Sequence, residues 1–212
     1  MPAKNRVKLY VENGYYHLYN RGVAKNNIFL SSLDYGVFLS YLKEYLSPFI
    51  PPTEEEIADQ GRVYFRKNYY SKIKLMAFVL MPNHFHFLLK QSEIRAIEGF
   101  MRSLITRYCG YFNRHYKRVG HLFQDNYKGI LIGQENYFLW LSRYIHLNPQ
   151  ELLEKTDSLI SYPYSSYPTY LGKSKTDWLN IGDVTSQIKN YQEFVEGLPE
   201  GEPDDLGYFS LD

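Results

Sequence analysis

Residues 72–90, KIKLMAFVLMPNHFHFLLK, are the stretch from which the fold can be read. Two apolar, β-leaning runs, Lys72 to Leu80 and His84 to Lys90, flank a Met-Pro-Asn spacer that favours a turn. The pattern predicts a β-hairpin. Because side chains alternate along a strand, the two histidines of the His-Phe-His sequence should leave the second strand from the same face.

A strand and a helix are predicted before this hairpin. Tyr15 to Arg21 (YYHLYNR) is β-prone and is followed by Gly22, which favours a strand that ends there. A first helix should begin near Ser32, with Ser31 or Ser32 as its N-cap. Its apolar stripe is expected to comprise Leu33, Val37, Tyr41 and Tyr45.

Three further elements are predicted after the hairpin. Glu93 to Arg118 has the spacing of a long amphipathic helix facing a sheet, with Gly120 as its stop signal. Asn126 to Ile132 is suited to a strand, and Gln134 to Leu147 to a helix that Asn148-Pro149 ends. The apolar positions of the long helix are Ile94, Ile97, Met101, Leu104, Ile105, Tyr108 and Phe112.

The predicted order β-α-β-β-α-β-α indicates an α+β fold. Its first six elements match the split βαβ, ferredoxin-like or RRM-like antiparallel sheet, and one helix is added. We expect one main domain over residues 1–150 and a small, mostly helical C-terminal extension with an acidic tail over residues 151–212. The proline-rich, acidic segment 47–62 is predicted to be an exposed insertion.

Composition restricts the class of protein. A chain of 212 residues with 44% hydrophobic residues can bury one sizeable core. A single cysteine permits no intrachain disulfide, the start has no apolar signal segment, and the longest apolar run, Leu75 to Met81, is too short to cross a bilayer. We therefore expect a cytoplasmic protein without a membrane partner.

Charge is unevenly distributed along the chain. Residues 193–212 contain seven of the 23 acidic residues and no Lys or Arg, which leaves 24 basic against 16 acidic residues elsewhere, a net charge of +8. With 22 Tyr and 13 Phe, the body of the chain suits a polyanion with bases to stack on. The acidic tail is either a solvated end or a segment that competes with a polyanion for the basic surface.

Two groups of residues are candidates for chemistry. His84 and His86 offer two convergent nitrogen ligands, although a His-x-His pattern on a strand is compatible with a purely structural role. Tyr144 and Asn148 are spaced i, i+4 and share a helix face. The alternatives are an ordinary aromatic for Tyr144 and a C-terminal helix cap for Asn148.

A third group is basic. Residues 101–128 contain six Lys or Arg and one acid, Asp125, and the end of the long helix has cations at helical spacing around Tyr111. This favours contact with phosphates. Together with an outer member near the start of the chain, the residues that are candidates to contact a phosphate backbone are Arg21, Arg107, Arg114, Lys117, Arg118, His121 and Lys128.

Four blocks of sequence resemble the single-tyrosine HUH (IS200-like) transposase superfamily, and more closely the REP-associated tyrosine transposases. They are YHLYNRG, VLMPNHFHFLL, YFNRHYKRVGHLFQDNYK and LSRYIHLNP, which occur in the family order over roughly residues 15 to 150. The segment YPYSSYPTYLG resembles the aromatic, serine-bearing stretch that often follows them.

The resemblance implies that His84 and His86 are metal ligands, that Asn148 is the third ligand and that Tyr144 is the nucleophile. It implies a metal-dependent transposase, with Mg²⁺ or Mn²⁺, that cleaves and rejoins single-stranded DNA at REP-like hairpins through a 5′-phosphotyrosine intermediate. Such a protein would be a monomer or homodimer in the bacterial nucleoid. Two alternatives stay open: a non-catalytic RRM-like nucleic-acid-binding protein, and a metal-dependent nuclease without a covalent intermediate.

Overall fold

The computed structural model describes residues 9–51, 67–133, 137–154 and 157–198. Within these ranges the chain forms a four-stranded sheet with helices on both faces. The strands are β1 (Tyr15–Arg21), β2 (Ile73–Met81), β3 (His84–Gln91) and β4 (Lys128–Ile132). They are ordered β2-β3-β1-β4 and all pairs are antiparallel. This is the predicted ferredoxin-like α+β sheet.

The hairpin of β2 and β3 is tighter than predicted. Met81 belongs to β2 and pairs with His84, so only Pro82 and Asn83 form the turn. The register shifts between Leu75 and Ala77, where β2 carries a bulge. The bulge does not interrupt β3, where side chains alternate between the two faces. Its two histidines therefore share one face, and Phe85 and Phe87 share the other.

One face of the sheet is covered by two helices, α1 (Ser32–Leu46) and α2 (Ala96–His115). Phe38 of α1 packs against Phe85 and Phe87 of β3, with ring centroids 5.6 and 6.3 Å apart. This layer is the larger of two apolar clusters. It gives the sheet a rigid support on the side away from the two histidines.

The predicted stripe of α1 was partly wrong. Leu33 is 53% exposed and Tyr41 is half-buried, whereas Tyr35, Phe38 and Leu42 face the core. The helix is rotated because Asp34 is fully buried as the N3 residue of a capping box with Ser31. The carboxylate of Asp34 accepts hydrogen bonds from Tyr111 of α2 and from Tyr116, which directly follows α2, and this directs the start of the helix inward.

The long helix is shorter at both ends than predicted. It begins after Arg95, which has a φ of 68°, and Ile94 lies outside it and is 62% exposed. It ends at His115, and the chain reverses through Lys117 (φ 51°), before Gly120 is reached. Gly120 therefore is not the residue that stops the helix, although its φ of 93° favours glycine in the following loop.

The opposite face of the sheet is covered by α3 (Tyr137–Leu147) and by the C-terminal extension. A short 3-10 helix (Asn148–Leu152) directly follows α3, as the Asn-Pro pair predicts for the helix end. The extension contains three short helices, which are α4 (Tyr167–Tyr170), α5 (Gly182–Thr185) and α6 (Tyr191–Glu196). The added helix and the mostly helical extension agree with the predicted architecture.

Some predicted features lie outside the described residues. They include most of the insertion predicted over 47–62, the acidic tail beyond residue 198, and residues 134–136 at the predicted start of the last helix. Strand β4 begins at Lys128, two residues later than predicted. In the part of the chain that the structure describes, no helix has the length and apolar character needed to cross a membrane.

Candidate active site

The two histidines of β3 lie on the sheet face that α3 covers. His84 is 5% exposed and His86 is fully buried, with ring centroids 5.1 Å apart and ring planes nearly perpendicular. The neighbours of the pair across the sheet are Arg21 and Tyr19 of β1, which are directly opposite in the antiparallel register. Alternation along β3 therefore does bring both imidazoles to one place, as predicted.

Tyr144 lies directly above this pair. Its ring centroid is 5.5 Å from that of His86, and the two rings meet edge to face at 85°. The ring of Tyr144 also contacts His17 of β1, with centroids 6.1 Å apart. The side chain is half-buried. A phenol from α3 and the imidazole pair from β3, more than fifty residues apart in sequence, are thus in contact in the fold.

Asn148 completes the group. Its Nδ2 donates a hydrogen bond of 2.8 Å to the backbone carbonyl of Tyr144, one helical turn earlier. Its side chain also lies against His84, and this contact raises the pKa of that imidazole. An amide oxygen favours the protonated imidazole because it accepts a hydrogen bond, whereas the NH2 group only donates. The amide of Asn148 is therefore on the histidine side of α3.

Burial keeps both imidazoles neutral. Loss of solvent lowers the pKa of His84 to about 4, against the weaker opposing effect of Asn148. Burial also lowers the pKa of His86 well below its ordinary value, and the positive charge of Arg21 adds to this for both histidines. A neutral imidazole retains a lone pair, which is what a metal ligand requires.

Hydrogen bonds fix which nitrogen of His84 carries that lone pair. Nδ1 of His84 is 2.6 Å from Oδ1 of Asn83. The amide of Asn83 is itself oriented, because its Nδ2 donates to the carbonyl of Lys25. An amide oxygen accepts only, so the proton of His84 is on Nδ1 and its lone pair is on Nε2. Nε2 of His86 is buried without a hydrogen-bond partner among the described residues.

These donors fit a divalent cation with open coordination positions. Within the described ranges, no three His, Cys, Asp or Glu side chains are grouped to hold a metal ion, so a site here depends on the amide of Asn148. The unpartnered, buried Nε2 of His86 and the oriented Nε2 of His84 are nitrogen donors that suit Mn²⁺ better than Mg²⁺. The set is neutral and leaves room for water and a phosphate oxygen.

Sequence reasoning did not single out His17 in this site. Nε2 of His17 is 2.8 Å from Nδ1 of His86, and its ring is fully buried. His17, Tyr19 and Arg21 alternate along β1, so they share the face of the histidine pair. The period-two pattern of YHLYNR is the signal that could have indicated His17. It would have done so only if the pairing of β1 with β3 had been known.

Two of the predicted DNA-binding cations lie next to the site. Arg21 is opposite His84, and its Nε is buried without a hydrogen-bond partner in the described residues. Lys128 pairs with Tyr19 on the other side of β1, and its Nζ is 5.6 Å from the centre of that ring. Both cations therefore extend the sheet face that holds the histidines.

The remaining predicted cations lie on or beyond α2. Arg107 is already engaged, because it forms a 2.9 Å ion pair with Glu44 and stacks on Tyr41 with 3.8 Å between the guanidinium and the ring centre. Arg118 donates to Asn113 and to the carbonyl of His121. The exposed members of this group are Arg114, Lys117 and His121.

Comparison with known families agrees with the motifs. Residues 53–148 match the model of the family described as "Transposase IS200 like". This segment contains His84, His86, Tyr144 and Asn148 and, within the described part, three of the four strands. The resemblance to IS200-like transposases that the motifs indicated is confirmed over this segment.

Comparison with solved structures gives a further match. The chain is similar to a protein whose structure is described as the REP associated tyrosine transposase bound to a REP hairpin, with a TM-score of 0.55 and 13% identity over 86% of this chain and 93% of that one. A transposase described as putative from Deinococcus radiodurans has a TM-score of 0.38 and 16% identity over 68% of this chain and 95% of that one. No curated protein sequence matches the chain.

Proposed function

We propose that the protein is a transposase that cuts and rejoins single-stranded DNA with Tyr144 as nucleophile. The observation that carries the proposal is the contact of the Tyr144 ring with His86, 5.5 Å between centroids, beside an amide that faces His84. The match of residues 53–148 to the IS200-like transposase family supports the same reaction class. All four residues come from one chain, so a single copy is sufficient to assemble the site.

His84, His86 and Asn148 would hold the metal, Mn²⁺ or Mg²⁺. When bound, such a cation withdraws charge from the scissile phosphate and orients it. The protein supplies the orientation of its ligands: Asn83 holds the ring of His84, and the carbonyl of Tyr144 holds the amide of Asn148. The layer of α1 and α2 behind the sheet keeps both histidines in place.

The reaction is a transesterification. The Oη of Tyr144 loses its proton and forms a bond to phosphorus, while the bond from phosphorus to the 3′ oxygen of the preceding nucleotide breaks. That oxygen leaves and takes up a proton, which gives a 5′-phosphotyrosine link and a free 3′-hydroxyl. Attack by another 3′-hydroxyl reverses these steps and restores the phenol. The phosphodiester bond is exchanged, so no nucleotide cofactor is needed.

Arg21 is suited to hold the same phosphate. Its guanidinium lies opposite His84, and its buried Nε lacks a hydrogen-bond partner in the described residues, which favours an anion as its missing acceptor. Lys128 and the ring of Tyr19 continue the surface toward the edge of the sheet. The similarity to a protein described as bound to a REP hairpin supports a DNA hairpin next to single-stranded DNA as the substrate.

The decisive experiment is detection of a covalent adduct. The full chain is incubated with Mn²⁺ and with hairpin DNA that carries a label on the 3′ side of the cut, and the products are separated on a denaturing gel. We expect a labelled protein band that Tyr144→Phe abolishes. Tyr137→Phe, on the same helix but outside the site, is the matched control and should retain the band.

Other outcomes separate the alternatives. Cleavage without a labelled protein band would mean a nuclease that uses activated water. Binding without cleavage, unchanged by Tyr144→Phe, would mean an RRM-like binding protein. An adduct that persists in Tyr144→Phe would assign the nucleophile to another residue. Chelation of divalent cations should abolish the adduct, and added Mn²⁺ should restore it, if the ligand assignment is correct.

A further inference from the structure

His17 is a buried polar residue that the reaction described above does not use. It lies in the middle of β1, its side chain is fully buried, and its Nε2 is 2.8 Å from Nδ1 of His86. The two rings are nearly parallel, with an interplanar angle of 15° and centroids 5.0 Å apart. Strand register places His86 opposite Tyr19, so His17 reaches it diagonally along the sheet.

The ring of His17 is held on several sides. Its centroid is 4.8 Å from that of Tyr19, and the ring meets that of Tyr144 at 78°. The ring is fully buried, and a buried imidazole without a carboxylate beside it is neutral and has one acceptor nitrogen. A buried, packed and neutral imidazole at this distance either donates a proton to His86 or accepts one from it.

A cation at His86 requires acceptance by His17. Nδ1 of His86 is the atom that faces Nε2 of His17, so Nε2 is the nitrogen of His86 that remains for a ligand. An imidazole nitrogen binds a cation only when it carries no proton, which places the single proton of a neutral His86 on Nδ1. That proton is then donated to Nε2 of His17, and the hydrogen bond holds the ring of His86 in place.

We propose that His17 is a positioning residue that accepts the Nδ1 proton of His86 and fixes the orientation of its ring, so that Nε2 of His86 binds the cation. This inference rests on the proposed function, since it requires a metal at His86. Loss of a group that accepts the distal proton of a ligand histidine typically lowers metal affinity by about 10–100-fold. His17 also touches the ring of Tyr144, but the proposed effect on metal binding is exerted through its hydrogen bond to His86.

The test measures metal binding rather than catalysis. Mn²⁺ is titrated into the full-length protein by isothermal calorimetry and by electron paramagnetic resonance, without DNA. His17→Leu removes the acceptor, and we expect Mn²⁺ affinity to fall by about 10–100-fold. His17→Gln keeps an acceptor oxygen on a side chain of similar reach and should recover part of that loss. Unchanged affinity in a folded His17→Leu protein would overturn the proposal.

Leu18→Ala is the matched control for general destabilisation. Leu18 neighbours His17 on β1 and is equally buried, but it faces the α1 and α2 side of the sheet. The variant should lower the unfolding temperature while leaving Mn²⁺ affinity within about twofold of the parent. An equal loss of affinity in Leu18→Ala would mean that His17 acts only by stabilising the sheet, and the proposal would be wrong.

A second measurement needs no variant at His17. The nitrogen-15 chemical shifts of the metal-free protein report which ring nitrogen of His86 is protonated. We expect protonated Nδ1 and unprotonated Nε2, and the opposite pattern would overturn the inference even if His17→Leu failed to fold. A parent protein that binds no Mn²⁺ and forms no adduct would instead refute the proposed function, so the two failures are distinguishable.

Discussion

Four imidazoles are buried in the described part of this protein, and their hydrogen bonding separates them. His146 of α3 is satisfied on both nitrogens, with Nδ1 2.7 Å from the hydroxyl of Tyr191 and Nε2 2.7 Å from Oγ of Ser166. His86, by contrast, is left with a buried Nε2 that has no partner in the described residues. A fully bonded imidazole is structural, whereas an unpartnered one is suited to bind a ligand.

His146 should make folding stability depend on pH. Burial lowers its pKa to about 3, below the value of about 6.5 in an unfolded chain. The unfolded state therefore binds more protons between these values, and stability that is present above pH 6.5 is lost as the pH falls toward 3. For His146 alone we expect a loss of roughly 2 kcal/mol between pH 7 and pH 5.

Urea denaturation of the metal-free protein at pH 7 and at pH 5 provides the measurement. His146→Gln should be less stable than the parent at pH 7, and its loss of stability on acidification should be smaller by about the same 2 kcal/mol. His115→Gln, at an exposed histidine, is the control and should behave as the parent does. Equal acid sensitivity in His146→Gln and the parent would show that this imidazole is not neutral in the folded protein.

At the scale of elements, a single carboxylate joins α1 to α2. Asp34 accepts hydrogen bonds of 2.8 and 2.7 Å from the hydroxyls of Tyr111 and Tyr116, and others from the backbone N–H groups of Leu30 and Ser31. These bonds hold its pKa below the ordinary value, even though its burial acts in the opposite direction and is the largest single effect. The same group therefore caps one helix and fixes the position of the other.

Asp34→Ala should be strongly destabilising. It removes the helix cap and leaves two phenols and two N–H groups without their acceptor, and we expect a loss of about 3 kcal/mol or more in the free energy of unfolding. Urea denaturation measures it. Glu98→Ala, which breaks an exposed i, i+4 pair with Arg102, should cost less than about 1 kcal/mol. Similar losses in the two variants would contradict the joining role of Asp34.

Helix α3 is held in place by the C-terminal extension. The guanidinium of Arg143, next to Tyr144, donates to the backbone carbonyls of Phe194 and Gly197 at 2.9 and 3.1 Å. The hydroxyl of Tyr191 on α6 bonds to His146 and donates to Ser142, both on α3. The extension thus anchors the side of α3 that faces away from the histidine pair.

Tyr191→Phe should loosen this anchor without changing a residue that faces the histidine pair. Loss of the hydroxyl removes the buried partner of Nδ1 of His146 and the donor to Oγ of Ser142, and we expect a loss of about 1–3 kcal/mol in stability. The rate of covalent adduct formation should fall several-fold, because Tyr144 is then less firmly positioned. Tyr70→Phe, at an exposed tyrosine, is the control. Unchanged stability and rate in Tyr191→Phe would show that the anchor is not needed.

At the scale of the whole molecule, the cations are not equivalent. Arg107 is neutralised by Glu44 between α1 and α2, whereas Arg114 and Lys117 are exposed at the end of α2. The segment that follows α2 returns to β1, where the N–H of Gln124 donates to the carbonyl of Arg21. The loop that follows the exposed cations therefore contacts the end of β1 that lies opposite His84.

Salt dependence of DNA binding should distinguish these cations. For single-stranded DNA, each phosphate contact contributes about −0.7 to the slope of log affinity against log salt concentration. Arg114→Gln and Lys117→Gln should each make the slope shallower by about that amount. Arg107→Gln should leave the slope unchanged and mainly lower stability. A change of slope in Arg107→Gln alone would reverse the assignment of the DNA-binding surface.

The fold was largely predictable because its signals are local. The two apolar, β-leaning runs in 72–90 and the Pro-Asn turn define the hairpin, and the apolar spacing of Ile97, Met101, Leu104 and Tyr108 defines the buried face of α2. The predicted buried face of α1 and the predicted end of α2 were wrong because tertiary contacts overrode the local sequence preference. The face of α1 is turned by the buried Asp34, and α2 ends early where the chain reverses at Lys117.

The amino-acid sequence by itself determined the order of strands and helices, the shared face of His84 and His86, and the spacing of Tyr144 and Asn148 along one helix. These depend on backbone periodicity, which short stretches of sequence encode. Only the tertiary structure decided that α3 crosses the histidine face, that His17 reaches His86, and that Arg107 is paired with Glu44. Those contacts join residues distant in sequence, and they depend on strand register and helix packing, which no local pattern specifies.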